Sequence, residues 1–339
     1  MFVRDELTDE ISAGDILALV NYLPYGTSRD RNTGHGEEGN LGTFYFASEQ
    51  CRKLSTLCQW IKSRKNVRSI NECDRPESLY DLFCQKIHPS TTLLTFINCS
   101  EKAKETLLVC LEKNIIVLTP YDAHFPDRLL SIPNAPIFLF VKGNPSLLTN
   151  ELSIAVVGTR EPSDSAIGCT RMVTAALVRN NVIVISGLAI GCDTVAHETT
   201  IQHHGKTIAV LAHGLDMVYP TRNIRLASDI LNSGGCLISE YFPGVQPTKY
   251  QFVERDRIQS GLSSGVIVIE TKEIGGTMHT AKHCKEQRKS LACMATFEGI
   301  DSYAVSGNQQ LLQQGAFPLR TEPDIGIFLE KYVLLKKMW

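Results

Sequence analysis

The sequence predicts an α/β protein whose core is a doubly wound, mostly parallel sheet, with a smaller, mostly helical region at the N-terminus. Between residues 151 and 295, short β-branched runs alternate with helical patterns at regular spacing, which is typical of parallel strands joined by crossover helices. The runs are apolar almost throughout, as strands covered on both faces require. These two observations define the fold class, and the positions of the elements follow from them.

Six strands and two of the intervening helices can be placed from this alternation. Helix Asp164–Arg179 repeats apolar residues at helical spacing, and helix Thr277–Arg288 begins after a glycine pair. Right-handed crossovers place the strand-to-helix turns on one edge of the sheet, where open α/β sheets bind their ligands. The predicted strands are Ser153–Val157, Val182–Ser186, Thr207–Ala212, Cys236–Ser239, Val266–Glu270 and Leu291–Met294.

The chain outside residues 151–295 lacks this regular alternation of strand and helix patterns. Residues 1–100 are predicted to form a mostly helical accessory domain with a mobile loop at Gly26–Gly42. Residues 101–322 form the sheet domain, and residues 323–339 form a C-terminal tail that is largely one amphipathic helix, Asp324–Trp339. Upstream of the main strands we predict a helix at Lys102–Lys113 and strands at Asn114–Leu118 and Ile137–Val141.

Composition and charge limit the kinds of function. The chain has 339 residues with 34 Lys and Arg against 36 Asp and Glu, a formal charge of -2, so a protein that binds polyanions through bulk charge is excluded. Any nucleic-acid site must use a few well-placed cations. The acidic start and the lack of an apolar stretch of ~18 residues indicate a cytoplasmic protein without a membrane span. The 11 cysteines include no C-x-x-C pair, so no metal site or disulfide framework is expected.

Three successive predicted strands end in small, polar turns, at Gly158–Arg160, at Ser186–Gly187 and at Gly214. Glycine lets the backbone approach an anion, a helix start offers unpaired N–H groups, and the forked guanidinium of Arg160 suits phosphate. No P-loop and no G-x-G-x-x-G accompanies them. The turns therefore indicate a phosphate-bearing ligand, without the motifs of ATP hydrolysis or nicotinamide redox chemistry.

Two further segments can contribute to an anion site. Arg255 and Arg257 lie two positions apart on a predicted helix, so one is expected to point inward and the other toward solvent or ligand. Direct phosphate contact by Arg257 and an ion pair with Glu240 or Glu270 fit the sequence equally well. Gly275–Thr277 is a diglycine before a hydroxyl-capped helix, which is typical of an anion-binding nest.

Two catalytic or metal-binding interpretations are weaker. Ser186, Asp193 and His197 could be imagined as a hydrolytic triad, but no G-x-S-x-G elbow is present, and helix capping by Asp193 explains that residue without catalysis. His279 and His283 have the i,i+4 spacing of metal ligands on a helix but lack an obvious third ligand. We interpret them as solvated helix residues.

The small turns belong to longer segments that follow one another in a set order: Val156–Arg160, Ser186–His197, Gly205–Pro220, Ser239–Gly244 and Arg255–Ser263. Together, over about residues 105 to 320, they resemble the DprA (Smf) family of DNA-processing proteins. The resemblance implies an extended Rossmann-like domain that binds single-stranded DNA without sequence preference, forms homodimers and hands the strand to a RecA-type recombinase. It implies neither catalysis nor a cofactor.

The resemblance also implies which residues contact DNA. The family's Arg-Asn-Arg motif reads Arg255–Arg257 here, with Asp256 in the middle, which places a carboxylate beside the proposed phosphate path. The contact residues carried over to this sequence are Gly158, Thr159, Arg160, Ser186, Gly187, Gly214, Arg255, Arg257 and Thr277.

A second hypothesis is a nucleotide sensor or a phosphoribohydrolase-like enzyme of the same Rossmann-like class. The Gly275–Thr277 loop is similar to the glycine-rich loop of phosphoribohydrolases. A glycosidase needs a carboxylate to stabilise an oxocarbenium ion, and Glu240 and Glu270 are the candidates. The sequence leaves open whether the biological setting is transformation, plasmid handling or defence against foreign DNA.

Overall fold

A computed structural model describes residues 93–119, 122–136, 138–150, 152–295 and 303–334. The chain divides into two units, Met1–Tyr121 and Asp122–Trp339. The predicted accessory domain of residues 1–100 and its Gly26–Gly42 loop lie outside the described residues, apart from residues 93–100.

The described part of the first unit is one helix followed by one short strand. Helix α1 spans Leu93–Glu112 and strand β1 spans Ile116–Leu118. The helix ends within one residue of the prediction because Asn114 takes the left-handed conformation, with φ of 54°, that often follows a helix C-terminus. The helix begins nine residues before the predicted start at Lys102.

Among the described residues of the second unit, eight strands lie in one sheet: β2 (Leu139–Gly143), β3 (Ser153–Val157), β4 (Ile183–Ser186), β5 (Thr207–Val210), β6 (Cys236–Ser239), β7 (Gly265–Val268), β8 (Ser290–Met294) and β9 (Phe317–Leu319). Their spatial order is β2, β6, β5, β4, β3, β7, β8, β9. All neighbours pair in parallel except β2, which runs antiparallel to β6. The predicted doubly wound, mostly parallel sheet is confirmed.

Burial explains why the strands could be predicted. Every residue of the six strands β3 to β8 is buried, so each strand is a short apolar run in the sequence, whereas β2 and β9 carry exposed or half-buried residues. The observed bounds agree with the predicted ones to within two residues. Beyond the end of β7, the backbone still bonds to its neighbour, because Ile269 N donates to Val157 O at 2.9 Å.

Two of the longer helices begin at a side-chain cap, Ser163 in one and Thr248 in the other. Helix α3 has the predicted bounds, and the Ser163 hydroxyl accepts from Ala166 N at 3.1 Å. The helix predicted at Thr277–Arg288 spans Gly276–Glu286. The α-helices in the described part of this unit are α2 (Asp127–Leu130), α3 (Asp164–Arg179), α4 (Cys192–Gln202), α5 (Ile224–Asn232), α6 (Lys249–Leu262), α7 (Gly276–Glu286), α8 (Ser306–Gln313) and α9 (Glu322–Ile327).

The C-terminal segment closes one side of the hydrophobic core. Phe328 belongs to the same buried hydrophobic cluster as Ile154 of β3 and Leu177 of α3. Helix α9 continues as π-helical turns over Phe328–Leu334. The predicted Asp324–Trp339 helix therefore begins two residues early, and its last five residues lie outside the described part of the chain. Across the described ranges, no helix combines the length and the apolarity needed to cross a bilayer.

Candidate functional site

A cleft opens where the sheet reverses its strand order. Strands β4, β5 and β6 lie on one side of β3, and β7, β8 and β9 lie on the other. In open α/β sheets, ligands bind outside the carboxyl ends of the strands at such a switch point. The cleft has a volume of about 640 Å³, which is in the range of ligand sites, and its walls come mainly from residues 157–161, 247–259 and 271–280.

The loop after β3 forms one wall and is fixed by neighbouring backbone. Thr159 N donates to Glu270 O at 2.8 Å, and Cys192 N donates to Thr159 O at 3.1 Å. A Cβ on Gly158 would lie 2.4 Å from the Cys192 sulfur, so only glycine fits between this loop and the start of α4. The loop therefore presents its next residue, Arg160, from a defined backbone position.

Arg160 is exposed at the mouth of the cleft and forms no ion pair with any described residue. Its guanidinium carbon lies 5.0 Å from the centroid of the Phe252 ring, within the range of a cation–π contact. The Tyr219 ring lies 5.9 Å from Phe252 on the same wall. An exposed cation therefore stands beside a flat aromatic surface.

Three more groups at the cleft suit an anion. Lys249 and Lys272 are exposed at its rim, and neither is paired with a described carboxylate. The third group is the N-terminus of α7 at Gly275–Thr277, whose first N–H groups lack acceptors within the helix. A Cβ on Gly276 would meet nothing within 4 Å, so the backbone there is open to a ligand.

Arg255 also reaches the cleft, but its guanidinium is occupied by the protein. The residue is only 5% exposed. Its Nη1 donates to the carbonyl oxygens of Gly187, at 3.0 Å, and of Val210, and its Nε donates to Asp256 at 3.2 Å. Arg255 therefore ties helix α6 to the ends of β4 and β5 beneath the cleft.

Two buried carboxyl groups lie beside this arginine. Asp193 accepts from Gly187 N at 3.1 Å and from Ala189 N at 3.3 Å. Burial raises the pKa of Asp193, and Arg255 opposes the rise. Burial likewise raises the pKa of Asp256 to about 7, again against the effect of Arg255. Near neutral pH the floor of the cleft thus contains a carboxyl group close to its titration point.

Arg257 points away from the cleft into an ion pair. It is 6% exposed, and its two terminal nitrogens donate to the two carboxylate oxygens of Glu240 at 2.9 and 2.5 Å. Of the two roles that fit the sequence, the structure shows the ion pair with Glu240. Of the two arginines, Arg257 is thus the one that points inward, and Arg255 is the one that reaches the cleft, although neither side chain is exposed to solvent.

Ser186 and Gly187 lie below the cleft rather than on its lining. The Ser186 hydroxyl donates to Val156 O at 2.8 Å. Gly187 uses both backbone groups, donating to Asp193 and accepting from Arg255. Their hydrogen-bonding groups are therefore taken up in joining β4 to its neighbours.

Gly214 also lies outside the lining. Its N–H donates to Val245 O at 3.0 Å. A Cβ at this position would lie 2.5 Å both from the Asp216 carboxylate and from Phe242 O. This glycine is required for the close approach of two loops. Of the nine predicted contact residues, the structure brings five together on the cleft lining: Gly158, Thr159, Arg160, Arg255 and Thr277.

The groups considered for catalysis have other partners. The Ser163 hydroxyl donates to Glu270 at 2.5 Å, which uses that carboxylate at the start of α3. His197 lies 2.7 Å from the Thr207 hydroxyl, and burial lowers its pKa to about 3. Ser186 and His197 therefore contact different partners and form no triad.

The histidine pair of α7 does not belong to a metal site. His283 pairs with Glu286 at 3.2 Å, and no described group of three His, Cys, Asp or Glu side chains could hold a metal ion.

The sequence indicated Asp256 beside the phosphate path but did not indicate Lys249, Phe252 or Gln259, which lie with it on the cleft lining. Positions i, i+3, i+7 and i+10 of helix α6 lie on one face, here called the α6 stripe. The residues at these positions are Lys249, Phe252, Asp256 and Gln259. The sequence signal that could have located the stripe is the capping box at Thr248, which fixes where the helix begins.

A second cleft of about 500 Å³ lies at the opposite edge of the sheet, where β8 and β9 begin. Lys285, Lys331, Phe317 and Tyr332 line it, and the rings of Phe317 and Tyr332 are 4.9 Å apart. Lys289, also on its lining, donates to the carbonyl oxygen of Ser260 at 2.9 Å. This surface also combines lysines with aromatic rings.

Comparisons with known proteins place the sheet domain among proteins that process DNA. Residues 116–330 match the family described as DNA recombination-mediator protein A. Protein Smf of Escherichia coli K12 is 37% identical over 230 residues, which cover 68% of this chain and only 60% of Smf. The X-ray structure of DNA processing protein A from Streptococcus pneumoniae superposes with a TM-score of 0.65 at 29% identity, covering 83% of this chain and 92% of that one.

The second solved structure is that of DNA processing protein A from Helicobacter pylori, which is described in terms of its single-stranded DNA binding mode. It superposes with a TM-score of 0.56 at 27% identity, covering 64% of this chain and 97% of that one. The family match over residues 116–330 includes the strands and helices that form the first cleft.

Proposed function

Because the chain belongs to the DNA recombination-mediator protein A family, we propose that it binds single-stranded DNA in the cleft between β3 and β7 and acts in DNA processing. The binding mode named for the Helicobacter pylori relative supports this choice of ligand. The observation that carries the proposal is Arg160, an exposed cation beside the Phe252 ring at the switch point of the sheet. Non-specific binding of single strands combines such cations with stacking surfaces.

The proposed contacts divide into two groups. The first group would hold phosphates and consists of Gly158, Thr159, Arg160, Lys249, Lys272 and Thr277, all on the cleft lining. The second group, Phe252 and Tyr219, offers aromatic surfaces for unstacked bases. Arg255 supports the floor from below. Ser186, Gly187, Gly214 and Arg257 would act indirectly, by fixing the strand ends that carry these loops.

The wider role is also part of the proposal. We expect a cytoplasmic homodimer that protects single strands and transfers them to a RecA-type recombinase, in the setting of DNA uptake and recombination. Binding without catalysis fits the cleft, because the carboxylates considered for hydrolysis, Glu240 and Glu270, are committed to Arg257 and Ser163.

Substitution of Arg160 tests the site directly. Arg160→Ala should weaken binding to a fluorescent 30-nucleotide oligo-dT at least tenfold, since a charge-assisted contact contributes ~1.5–3 kcal/mol and ~1.4 kcal/mol is tenfold. Loss of one phosphate contact should also reduce the slope of log K against log salt by ~0.7. Fluorescence anisotropy over a salt series measures both quantities. Arg171→Ala, which removes an exposed arginine of α3 outside the cleft lining, is the matched control.

Equal losses in Arg160→Ala and Arg171→Ala would show that general surface charge, not this cleft, binds DNA. Displacement of the oligonucleotide by a mononucleotide at equimolar concentration would instead favour the sensor hypothesis. Tight binding of duplex DNA with the same salt slope would contradict the role proposed for the aromatic wall, because paired bases cannot stack on it.

A further inference from the structure

The loop that carries Tyr219 follows strand β5 and is fixed at its start by neighbouring segments. The carbonyl oxygen of His213 accepts from the Ser239 hydroxyl at 2.7 Å. The Gly214 N–H donates to Val245 O at 3.0 Å. These bonds hold the first residues of the loop against β6 and the segment after it. They lie at least five residues before Tyr219, so they leave the position of that residue to be set by other contacts.

The imidazole of His213 makes such a contact from inside the loop. The residue is only 1% exposed. Its Nε2 accepts from the backbone N–H of Tyr219 at 3.2 Å, and its Nδ1 lies 2.9 Å from the carbonyl oxygen of Gly214. Because the Tyr219 N–H is a donor, Nε2 must be the unprotonated nitrogen, and Nδ1 then donates its proton to Gly214. One neutral tautomer thus satisfies both ring nitrogens.

The surroundings of His213 favour this neutral form. Burial lowers the pKa of the imidazole from its ordinary value of 6.5. The ring is therefore uncharged near pH 7, and Nε2 keeps a lone pair for the backbone of Tyr219. A protonated ring would carry hydrogen on both nitrogens, so Nε2 would then face the Tyr219 N–H as one donor against another.

The side chain placed by this bond belongs to the aromatic wall of the cleft. Tyr219 is 45% exposed and lies on the cleft lining. Its ring centroid is 5.9 Å from that of Phe252, at an interplanar angle of 48°. The backbone of Tyr219 sets the direction in which the ring leaves the chain, so a shift of the loop would change this arrangement. Stacking of a base on an aromatic ring changes single-strand affinity ~5- to 150-fold, so displacement of the ring is measurable.

We propose that His213 is a positioning residue for single-strand binding, which fixes the backbone of Tyr219 and thereby the aromatic wall without touching DNA. The inference rests on the proposed function, since its effect on affinity requires a strand in the cleft. If His213 only filled space, an apolar residue of similar size would serve equally well. The positioning role instead requires an acceptor at the place of Nε2.

Three substitutions of His213 separate these roles, with the affinity for oligo-dT measured by fluorescence anisotropy on the full-length protein. His213→Leu removes both ring nitrogens, and the shorter amide of His213→Asn reaches the place of Nδ1 but not that of Nε2. Both should weaken binding ~5-fold, at the lower end of the stacking range. The amide oxygen of His213→Gln reaches the place of Nε2, so this variant should stay within ~2-fold of wild type.

A double-mutant cycle shows whether the effect passes through Tyr219. In the Tyr219→Ala background, His213→Leu should weaken binding by less than ~1.5-fold, because the ring that it positions is absent. Thermal melting establishes that each variant is folded. If His213→Leu weakens the Tyr219→Ala protein as strongly as it weakens wild type, the histidine acts on the fold in general and the proposal is overturned. Equal affinities of wild type and His213→Leu, or equal losses in His213→Gln and His213→Leu, overturn it as well.

Two measurements test the hydrogen bond without DNA. Amide hydrogen exchange at Tyr219 should be ~10-fold slower in wild type and His213→Gln than in His213→Leu. With ¹⁵N-labelled histidine, the ring signals of His213, identified by their absence from His213→Gln, should show the proton on Nδ1. A proton on Nε2 overturns the proposal whichever variants fold. If no oligonucleotide binds, the proposed function fails, and the exchange rates decide the positioning bond: a difference supports it, and equal rates overturn it.

Discussion

At the scale of single residues, two arginines of the cleft have opposite roles because their surroundings differ. Arg160 is exposed and without a carboxylate partner, so its charge is available to a ligand. Arg255 is buried and bonded to two carbonyl oxygens and to Asp256, so its charge is used within the fold. The neighbouring Asp256 is affected differently by the same buried environment. Burial keeps the pKa of its carboxyl group high despite the adjacent cation.

The raised pKa of Asp256 predicts a pH dependence of stability. The folded protein holds this proton up to about pH 7, whereas an unfolded aspartate releases it near its ordinary value of 3.8. Raising the pH between these values therefore favours the unfolded chain and lowers the free energy of unfolding. Asp256→Asn lacks this loss, so its stability relative to wild type should improve by at least ~1 kcal/mol between pH 4.5 and pH 7.5, which corresponds to less than one pKa unit.

Urea denaturation at both pH values measures this difference. Asp229→Asn, which removes a surface carboxylate on α5, controls for the loss of one negative charge. Parallel pH profiles of wild type and Asp256→Asn would show that Asp256 ionises normally in the folded protein.

At the scale of elements, helix α6 is the part on which the cleft depends most. Thr248 and Gln251 cap its start in a reciprocal box, and Arg255 and Arg257 fasten its middle to strand ends β4, β5 and β6. These contacts fix the rotation of the helix about its axis. The α6 stripe faces the cleft because of that rotation.

The ion pair between Arg257 and Glu240 should therefore be important for stability but not for direct DNA contact. Arg257→Met should lower the free energy of unfolding by ~3 kcal/mol, since it leaves the buried Glu240 carboxylate uncompensated. Adding Glu240→Gln should restore part of the loss. Urea denaturation of the two variants and wild type checks this; a double variant less stable than Arg257→Met would contradict the assignment.

The same helix shows what the sequence could and could not predict. Buried strands are apolar throughout, so their positions were predictable, and Arg160 was predictable because it follows a buried strand and a glycine. The partner of Arg257 was not, because Glu240 is 17 residues away and either of two carboxylates fitted. Phe252 and Gln259 are unremarkable helical residues in sequence, and only the docking of α6 shows that they line the cleft.

At the scale of the whole sheet domain, two surfaces combine lysines with aromatic rings at opposite edges. One is the cleft at the carboxyl ends of β3 and β7, with Phe252 and Tyr219; the other lies where β8 and β9 begin, with Phe317 and Tyr332. Topology favours the first, because only it lies at the switch point. The near-neutral net charge gives no general attraction for DNA, so the choice depends on local groups.

Photocrosslinking distinguishes the two surfaces in one measurement. Oligo-dT containing 5-iodouracil is bound to the full-length protein, irradiated and mapped by mass spectrometry. The proposed site predicts crosslinks in the peptides that contain Tyr219 and Phe252, with a lower yield of those crosslinks in Arg160→Ala at a protein concentration below its dissociation constant. Crosslinks confined to the peptides that contain Phe317 and Tyr332 would contradict the assignment of the strand to the switch-point cleft.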